Sequence, residues 1–123
     1  MLVIDDEPNI RETFKMTLRV RKFLVDVYPD GPSALESLIA GRYNVAFVDV
    51  KLPQMDGLEV LRRLKEKDPK LQIIIMTAYA TDVSQAAALK LGALEYLRKP
   101  FLMEEVYELI DRGLRQRERE KNN

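Results

Sequence analysis

The sequence predicts an α/β fold in which a parallel sheet is covered by helices on both faces. Short apolar runs, often rich in β-branched residues, recur five times along the chain. Each run is followed by a segment whose apolar residues have helical spacing. The runs are nearly unbroken rather than alternating, which is typical of strands buried on both faces. Strict alternation of strand and helix favours parallel strands that are joined by helical crossovers.

We therefore expect five strand-then-helix units. Strands are predicted at residues 1–4, 23–28, 44–48, 71–76 and 93–97. Helices are predicted at residues 8–21, 34–40, 57–67, 82–91 and 103–117. An Asp in the loop after the first strand is expected to cap the first helix, with Pro8 in its first turn. Gly41 and Gly92 are expected to end the second and fourth helices.

The length of 123 residues suits one compact domain. We place the folded domain at residues 1–117 and read residues 118–123 as a charged tail or the start of a linker, because the chain is almost wholly polar from Arg112 onward. No stretch is apolar enough to span a membrane, and no signal peptide precedes the first strand. These features predict a cytoplasmic protein that does not bind membranes.

Composition excludes several kinds of chemistry. The chain has no Cys and no His, so thiolate metal sites, disulfides, a Cys nucleophile and a Ser-His-Asp triad are ruled out. Lys plus Arg and Asp plus Glu both count 20, and this zero balance gives no reason to expect direct nucleic-acid binding by this domain. Any site must use carboxylates, Lys, hydroxyls and backbone, which favours a hard cation such as Mg²⁺.

Polar residues stand at the carboxyl ends of four predicted strands: Asp5 and Asp6, Asp49, Thr77, and Lys99. These ends share one edge of a parallel sheet, and strands one, three, four and five are neighbours in the order 2-1-3-4-5. Three clustered carboxylates repel one another unless a divalent cation is bound. A carboxylate beside Mg²⁺ and a Lys is equipped to attack phosphorus and form an aspartyl phosphate.

Four stretches resemble the receiver domain of two-component response regulators, which has the flavodoxin-like, doubly wound (βα)5 fold. They are VIDDE at 3–7, DVKLPQMDG at 49–57, MTAY at 76–79 and GALEYLRKPF at 92–101. The resemblance implies that Asp49 accepts a phosphoryl group from a histidine on a sensor kinase or phosphotransfer protein. It implies a cis bond before Pro100, and no enzymatic activity beyond the domain's own phosphorylation and dephosphorylation.

The resemblance also implies roles for the other site residues. Asp6 and Asp49 bind Mg²⁺ directly, the backbone carbonyl of Lys51 completes the protein ligands, and Asp5 contributes through water. Lys99, Thr77 and Ala78 contact the phosphoryl group. Thr77 and Tyr96 form a switch pair, in which Thr77 moves toward the phosphate and Tyr96 turns inward. The output surface is expected on the fourth helix, fifth strand and fifth helix, with a C-terminal effector domain or a homodimer as open possibilities.

Simpler interpretations exist for several of these residues. Asp5 and Asp6 could be only a helix cap, Tyr96 a half-buried strand aromatic, and Lys99 a strand terminator. We interpret Asp56 with Gly57 as a turn and helix start and leave both out of the site. Three consecutive alanines at 86–88 either form an adaptable partner surface or are simply good helix formers.

Two other functions remain as alternatives: a docking module that is never phosphorylated, and a Mg²⁺ phosphohydrolase with an Asp nucleophile. The haloacid-dehalogenase type of hydrolase has a second Asp two residues after the nucleophile, where this chain has Lys51. Lys51 and Tyr79 are also expected to overhang the phosphoryl group, and we hypothesise that they slow its hydrolysis. A further departure from the family is the loop Arg21-Lys22-Phe23, where a Gly is common, so the first helix is expected to end differently.

Overall fold

The computed structural model describes residues 1–79 and 82–121, without the side chains of residues 82–84. Five parallel strands form one sheet in the order β2-β1-β3-β4-β5, as predicted. The strands are β1 (Leu2–Ile4), β2 (Asp26–Tyr28), β3 (Val45–Asp49), β4 (Gln72–Thr77) and β5 (Glu95–Arg98). The helices are α1 (Pro8–Val20), α2 (Gly31–Ser37), α3 (Gly57–Lys67), α4 (Asp82–Lys90) and α5 (Met103–Lys121). Among the described residues, no helix is both long and apolar enough to cross a membrane.

Helices cover both faces of the sheet, so the hydrophobic core has two layers. One layer joins alternate strand residues such as Ile4, Val48 and Ile75 to the buried side of α3. The other joins Val3 and Phe47, among others, to α1 and α5. Strands β1, β3 and β4 are buried on both faces, which explains why their sequences do not alternate.

Several element boundaries differ from the prediction, and the largest differences are in α2, α5 and β2. Helix α2 begins at Gly31, because the Asp30 side chain accepts a hydrogen bond from the backbone N–H of Ser33. It ends at Ser37, where Leu38 turns extended, so Gly41 does not end it. Helix α5 continues to Lys121 rather than ending near residue 117. Strand β2 has only three residues, and the other strand boundaries shift by one or two positions.

The ends of α1 also depart from expectation. Its N-cap is Glu7, not an Asp, and no side chain caps it by a hydrogen bond. Its C-terminus is followed by a residue in the left-handed backbone conformation, as is common for helices, although that residue is not Gly. Lys22 has φ of 65°, its N–H donates to Arg19 O, and the N–H of Phe23 donates to Leu18 O. This is the pattern of a Schellman motif, so the prediction of a different helix end is wrong.

Candidate functional site

The carboxyl edge of the sheet carries an acidic cluster. Asp5 follows β1 and Asp49 ends β3, and both residues are buried, at 0% and 5% exposure. Asp6 and Glu7 lie beside them in the β1–α1 loop and are exposed. One carboxylate oxygen from each of these four residues lies within 4.8 Å of the others. Oxygen donors this close together are the ligands that a hard divalent cation prefers, so the residues present fit Mg²⁺.

Lys99 supplies the positive charge of the cluster. Its Nζ donates to Asp5 Oδ2 at 2.7 Å and to Asp49 Oδ2 at 3.0 Å, and its side chain is only 9% exposed. Burial acts to lower the pKa of Lys99, but hydrogen bonds and negative charge from the two carboxylates outweigh it, so the pKa lies above its ordinary value. Lys99 is therefore a cation whose charge is directed at Asp49. The peptide bond to Pro100 is cis, as expected.

Asp5 links Lys99 to the start of α1. Burial raises the pKa of the Asp5 carboxyl, and its hydrogen bond with Lys99 opposes that rise. Asp5 Oδ1 accepts the backbone N–H of Glu7 at 2.9 Å, which orients the side chain across the loop. The interpretation of Asp5 and Asp6 as a cap of α1 is wrong, because the cap residue is Glu7.

Asp49 is held by one donor on each oxygen. Oδ1 accepts the backbone N–H of Lys51 at 3.1 Å, and Oδ2 accepts from Lys99. Close packing of α3 fixes the loop behind it, since a Cβ on Gly57 would lie 2.1 Å from the carbonyl oxygen of Asp49. Only a residue without a side chain fits there. The Asp56 carboxylate accepts the N–H of Leu58 and caps α3, which confirms that Asp56 is a helix start.

Thr77 and Ala78 complete the wall of the pocket beyond β4. Thr77 is buried, and its Oγ1 accepts the backbone N–H of Tyr79 at 3.1 Å. The carbonyl of Thr77 accepts the N–H of Lys99 at 2.8 Å, so the strand that carries the hydroxyl also fixes the backbone of the lysine. A cavity of about 220 Å³ opens here. The residues around it are Asp6, Glu7, Asp49, Lys51, Thr77, Ala78, Tyr79 and Lys99.

Tyr96 lies outside this cavity, on β5. It pairs in register with Ile75 of β4, two positions before Thr77. Since paired residues of parallel strands point to the same face and residues two apart do as well, Tyr96 and Thr77 share one face of the sheet. Tyr96 packs against the core layer on that face and is partly buried.

Lys51 and Tyr79 meet at the mouth of the cavity. The Lys51 Nζ lies 4.2 Å from the centre of the Tyr79 ring, a cation–π distance, and the tyrosine is 68% exposed. The structure thus places both predicted overhanging residues together at the mouth.

Glu7 is the residue of this pocket that the sequence reasoning missed. Its Oε1 lies 3.4 Å from Lys99 Nζ, and it belongs to the acidic cluster. Its place directly after Asp5 and Asp6 is a signal that could have suggested it. Glu7 is also the residue directly before the first helical residue, Pro8, and this position alone indicates a helix start rather than a role in the pocket.

Sheet order, crossovers and an acidic pocket at the carboxyl edge define a flavodoxin-like domain of the doubly wound class. The family model of the response regulator receiver domain matches residues 1–111, and the chain belongs to that family. Receiver domains are signalling modules rather than classical enzymes, they bind Mg²⁺ at an acidic pocket, and they interact with histidine kinases.

Individual relatives agree with this assignment. Response regulator MprA of Mycobacterium ulcerans is 37% identical over 106 residues, which cover 86% of this chain and 46% of MprA. The uncharacterised transcriptional regulatory protein YkoG of Bacillus subtilis is 34% identical over 116 residues, covering 94% of this chain and 51% of YkoG. The chain thus spans about half the length of these curated relatives.

Solved structures show the same fold. A CheY-like receiver domain protein from Methanospirillum hungatei superposes with a TM-score of 0.88 at 28% identity, covering 97% of this chain and 95% of that one. The BeF3-activated DrrB receiver domain gives a TM-score of 0.85 at 30% identity, covering 93% and 95% of the two chains.

Proposed function

We propose that Asp49 is the phosphoacceptor of this receiver domain and that a histidine of a sensor kinase or phosphotransfer protein is the donor. The observation that carries this is the contact of Lys99 with Asp49 inside the acidic cluster. An Asp49 oxygen attacks phosphorus and forms the new P–O bond. The P–N bond of the donor breaks, and its electron pair stays on the imidazole.

Different residues of the pocket would bind Mg²⁺ and contact the phosphoryl group during this transfer. Asp6 and Asp49 with the Lys51 carbonyl would hold Mg²⁺, with Asp5 assisting through water, and when bound the ion supplies positive charge for the phosphoryl oxygens. Lys99 turns its ammonium from Asp49 to the phosphoryl group as the carboxylate is consumed. Thr77 and the backbone of Ala78 offer hydrogen bonds to the same group.

Two alternatives fit the pocket less well. The position two residues after Asp49 holds Lys51, whose ammonium lies over Tyr79, and so offers no second carboxylate for a hydrolase of the haloacid-dehalogenase type. A docking module that is never phosphorylated has no use for a lysine buried between Asp5 and Asp49, because such a pair costs desolvation free energy.

The test is the intact mass of the protein after incubation with acetyl phosphate, with and without Mg²⁺. We expect wild type to gain one phosphoryl group only with Mg²⁺ and Asp49→Asn to gain none. Asp56→Asn is the matched control, since it makes the same chemical change at an exposed helix cap outside the cavity. Phosphorylation of Asp49→Asn would refute the assignment. A folded, Mg²⁺-binding wild type that gains nothing would favour the docking module.

A further inference from the structure

A second cluster of buried charge lies at the amino-terminal edge of the sheet, opposite Asp49. We call this edge, with Asp68 and Gln72, the base of the sheet. Helix α5 reaches it through a stripe of inward residues: Val106, Leu109, Ile110, Gly113 and Arg117. At Gly113 the helix packs closely on the sheet, since a Cβ there would lie 2.9 Å from Val45 Cγ2. One turn after Gly113, the next inward position holds a charged residue. It is Arg117, which is only 8% exposed.

Asp68 is the counter-charge of Arg117. It lies just past α3, and its side chain is 7% exposed. Oδ2 accepts the backbone N–H of Gly41 at 3.0 Å, and Oδ1 accepts that of Lys70 at 3.3 Å. The same carboxylate therefore ties together the α2–β3 loop, the α3–β4 loop and the end of α5.

Two further groups complete this base. Gln72 at the start of β4 donates to Glu120 Oε2 at 2.9 Å, which adds a second contact from the last turn of α5. Lys65 of α3 donates to the carbonyls of Pro69 and Leu71. Burial lowers the pKa of Lys65, while the charges of Glu120 and Asp68 oppose this.

The ion pair of Arg117 and Asp68 is long and has no hydrogen bond. Nη1 lies 3.9 Å from Asp68 Oδ2, beyond hydrogen-bond distance. Both Nε and Nη1 are buried and donate no hydrogen bond to any residue that the structure describes. Within the described residues this is the one ion pair of the Arg117 guanidinium, so it recovers little of the desolvation cost and adds little net stability.

We propose that the Arg117–Asp68 pair is a releasable latch that positions the last two turns of α5 on the base of the sheet. These turns lie past residue 111, where the family match ends. The latch holds the end of α5 in place together with the hydrogen bond from Gln72 to Glu120, and the ion pair at 3.9 Å is the longer of these two contacts. This role is independent of phosphorylation at Asp49.

Amide hydrogen exchange across residues 114–121 of the full chain tests the latch. Asp68→Asn leaves Arg117 buried without a counter-charge, and we expect these amides to exchange at least about tenfold faster. Arg117→Met keeps the apolar part of the side chain without the charge, and we expect exchange faster than in wild type but slower than in Asp68→Asn, whereas an unchanged rate would refute the latch. Arg115→Met is the matched control on the exposed side of the same helix, and it should change nothing.

The double variant Asp68→Asn with Arg117→Met decides whether the two residues act as a pair. If they do, it returns exchange to the rate of Arg117→Met alone. If instead the loss of one acceptor oxygen for Gly41 or Lys70 causes the loosening, the double variant stays as fast as Asp68→Asn, and the latch is refuted. Exchange in Arg117→Met as fast as in Asp68→Asn would also refute it, because the pair would then be a firm attachment.

Discussion

Single side chains at the mouth of the pocket are placed to control how long a phosphoryl group survives on Asp49. Hydrolysis needs a water molecule in line with the bond between Asp49 and phosphorus. The Lys51 ammonium and the Tyr79 ring lie against each other at 4.2 Å on this side of the cavity. Neither group is a carboxylate or an amide that could orient the water. We hypothesise on this basis that the aspartyl phosphate decays slowly.

Opening the mouth should therefore speed decay. We expect Tyr79→Ala and Lys51→Asn each to raise the rate of phosphate loss by about threefold, which corresponds to a barrier lower by about 0.7 kcal/mol. The measurement is the fraction phosphorylated against time, followed by intact mass after acetyl phosphate is removed. Lys90→Asn, an exposed lysine at the end of α4, controls for the change of charge. Unchanged decay in both pocket variants would end this hypothesis.

At the residue scale, the placement of the strand-end residues was predictable and side-chain pairing was less so. Asp5, Asp49, Thr77 and Lys99 lie where the topology predicts, because the ends of parallel strands share an edge. The part played by Glu7 depends on how the loop before Pro8 directs its side chain, which no spacing rule encodes. The contact of Lys51 with Tyr79 joins two loops that are far apart in sequence.

Two adjacent strands, β4 and β5, join the pocket to the proposed output surface. Thr77 ends β4, and Tyr96 lies on the same face of β5. The backbone N–H of Lys99 donates a hydrogen bond to the carbonyl of Thr77, so the ends of β4 and β5 are held together. A shift of the Thr77 hydroxyl toward a phosphoryl group would change the space behind it on the Tyr96 side.

Removing that hydroxyl should separate phosphorylation from switching. We expect beryllium trifluoride, the reagent of the activated DrrB receiver domain, to shift the NMR signals of Tyr96 and β5 in wild type. In Thr77→Val the Tyr96 shift should be lost, while Mg²⁺-dependent phosphorylation of Asp49 persists at a lower rate. Thr13→Val, an exposed threonine of α1, is the control. A full Tyr96 response in Thr77→Val would contradict the switch pair.

At the element scale, helix ends were the least predictable feature. The seven-residue α2 starts where Asp30 caps it, three residues before its predicted start. Helix α5 runs on to Lys121, and its last turns contact Asp68 and Gln72 through Arg117 and Glu120, contacts that the run of charged residues does not indicate. On α4 the three alanines differ: Ala86 is exposed and Ala88 is buried. Whether this helix forms a partner surface stays a prediction.

The whole molecule has charged clusters at both edges of its sheet. The carboxyl edge brings together groups that follow or end β1, β3, β4 and β5 around Asp49. At the opposite edge, Asp68 lies against Arg117 of α5. Helix α3 runs between them, beginning against the carbonyl of Asp49 and ending at Asp68. The parallel sheet with helices on both faces followed from the alternation of apolar strands and helices, and β1, β3 and β4 are buried on both faces as that pattern predicts.

The most direct test of this account is to locate the phosphoryl group chemically. An acyl phosphate is reduced by borohydride to an alcohol, so a phosphorylated aspartate becomes homoserine in the treated chain. After acetyl phosphate and Mg²⁺, we predict homoserine at Asp49, found by fragment mass spectrometry of the peptide that contains it. Homoserine at Asp5, Asp6 or Asp56 instead, or at no position in a protein that had gained a phosphoryl group, would contradict Asp49 as the acceptor.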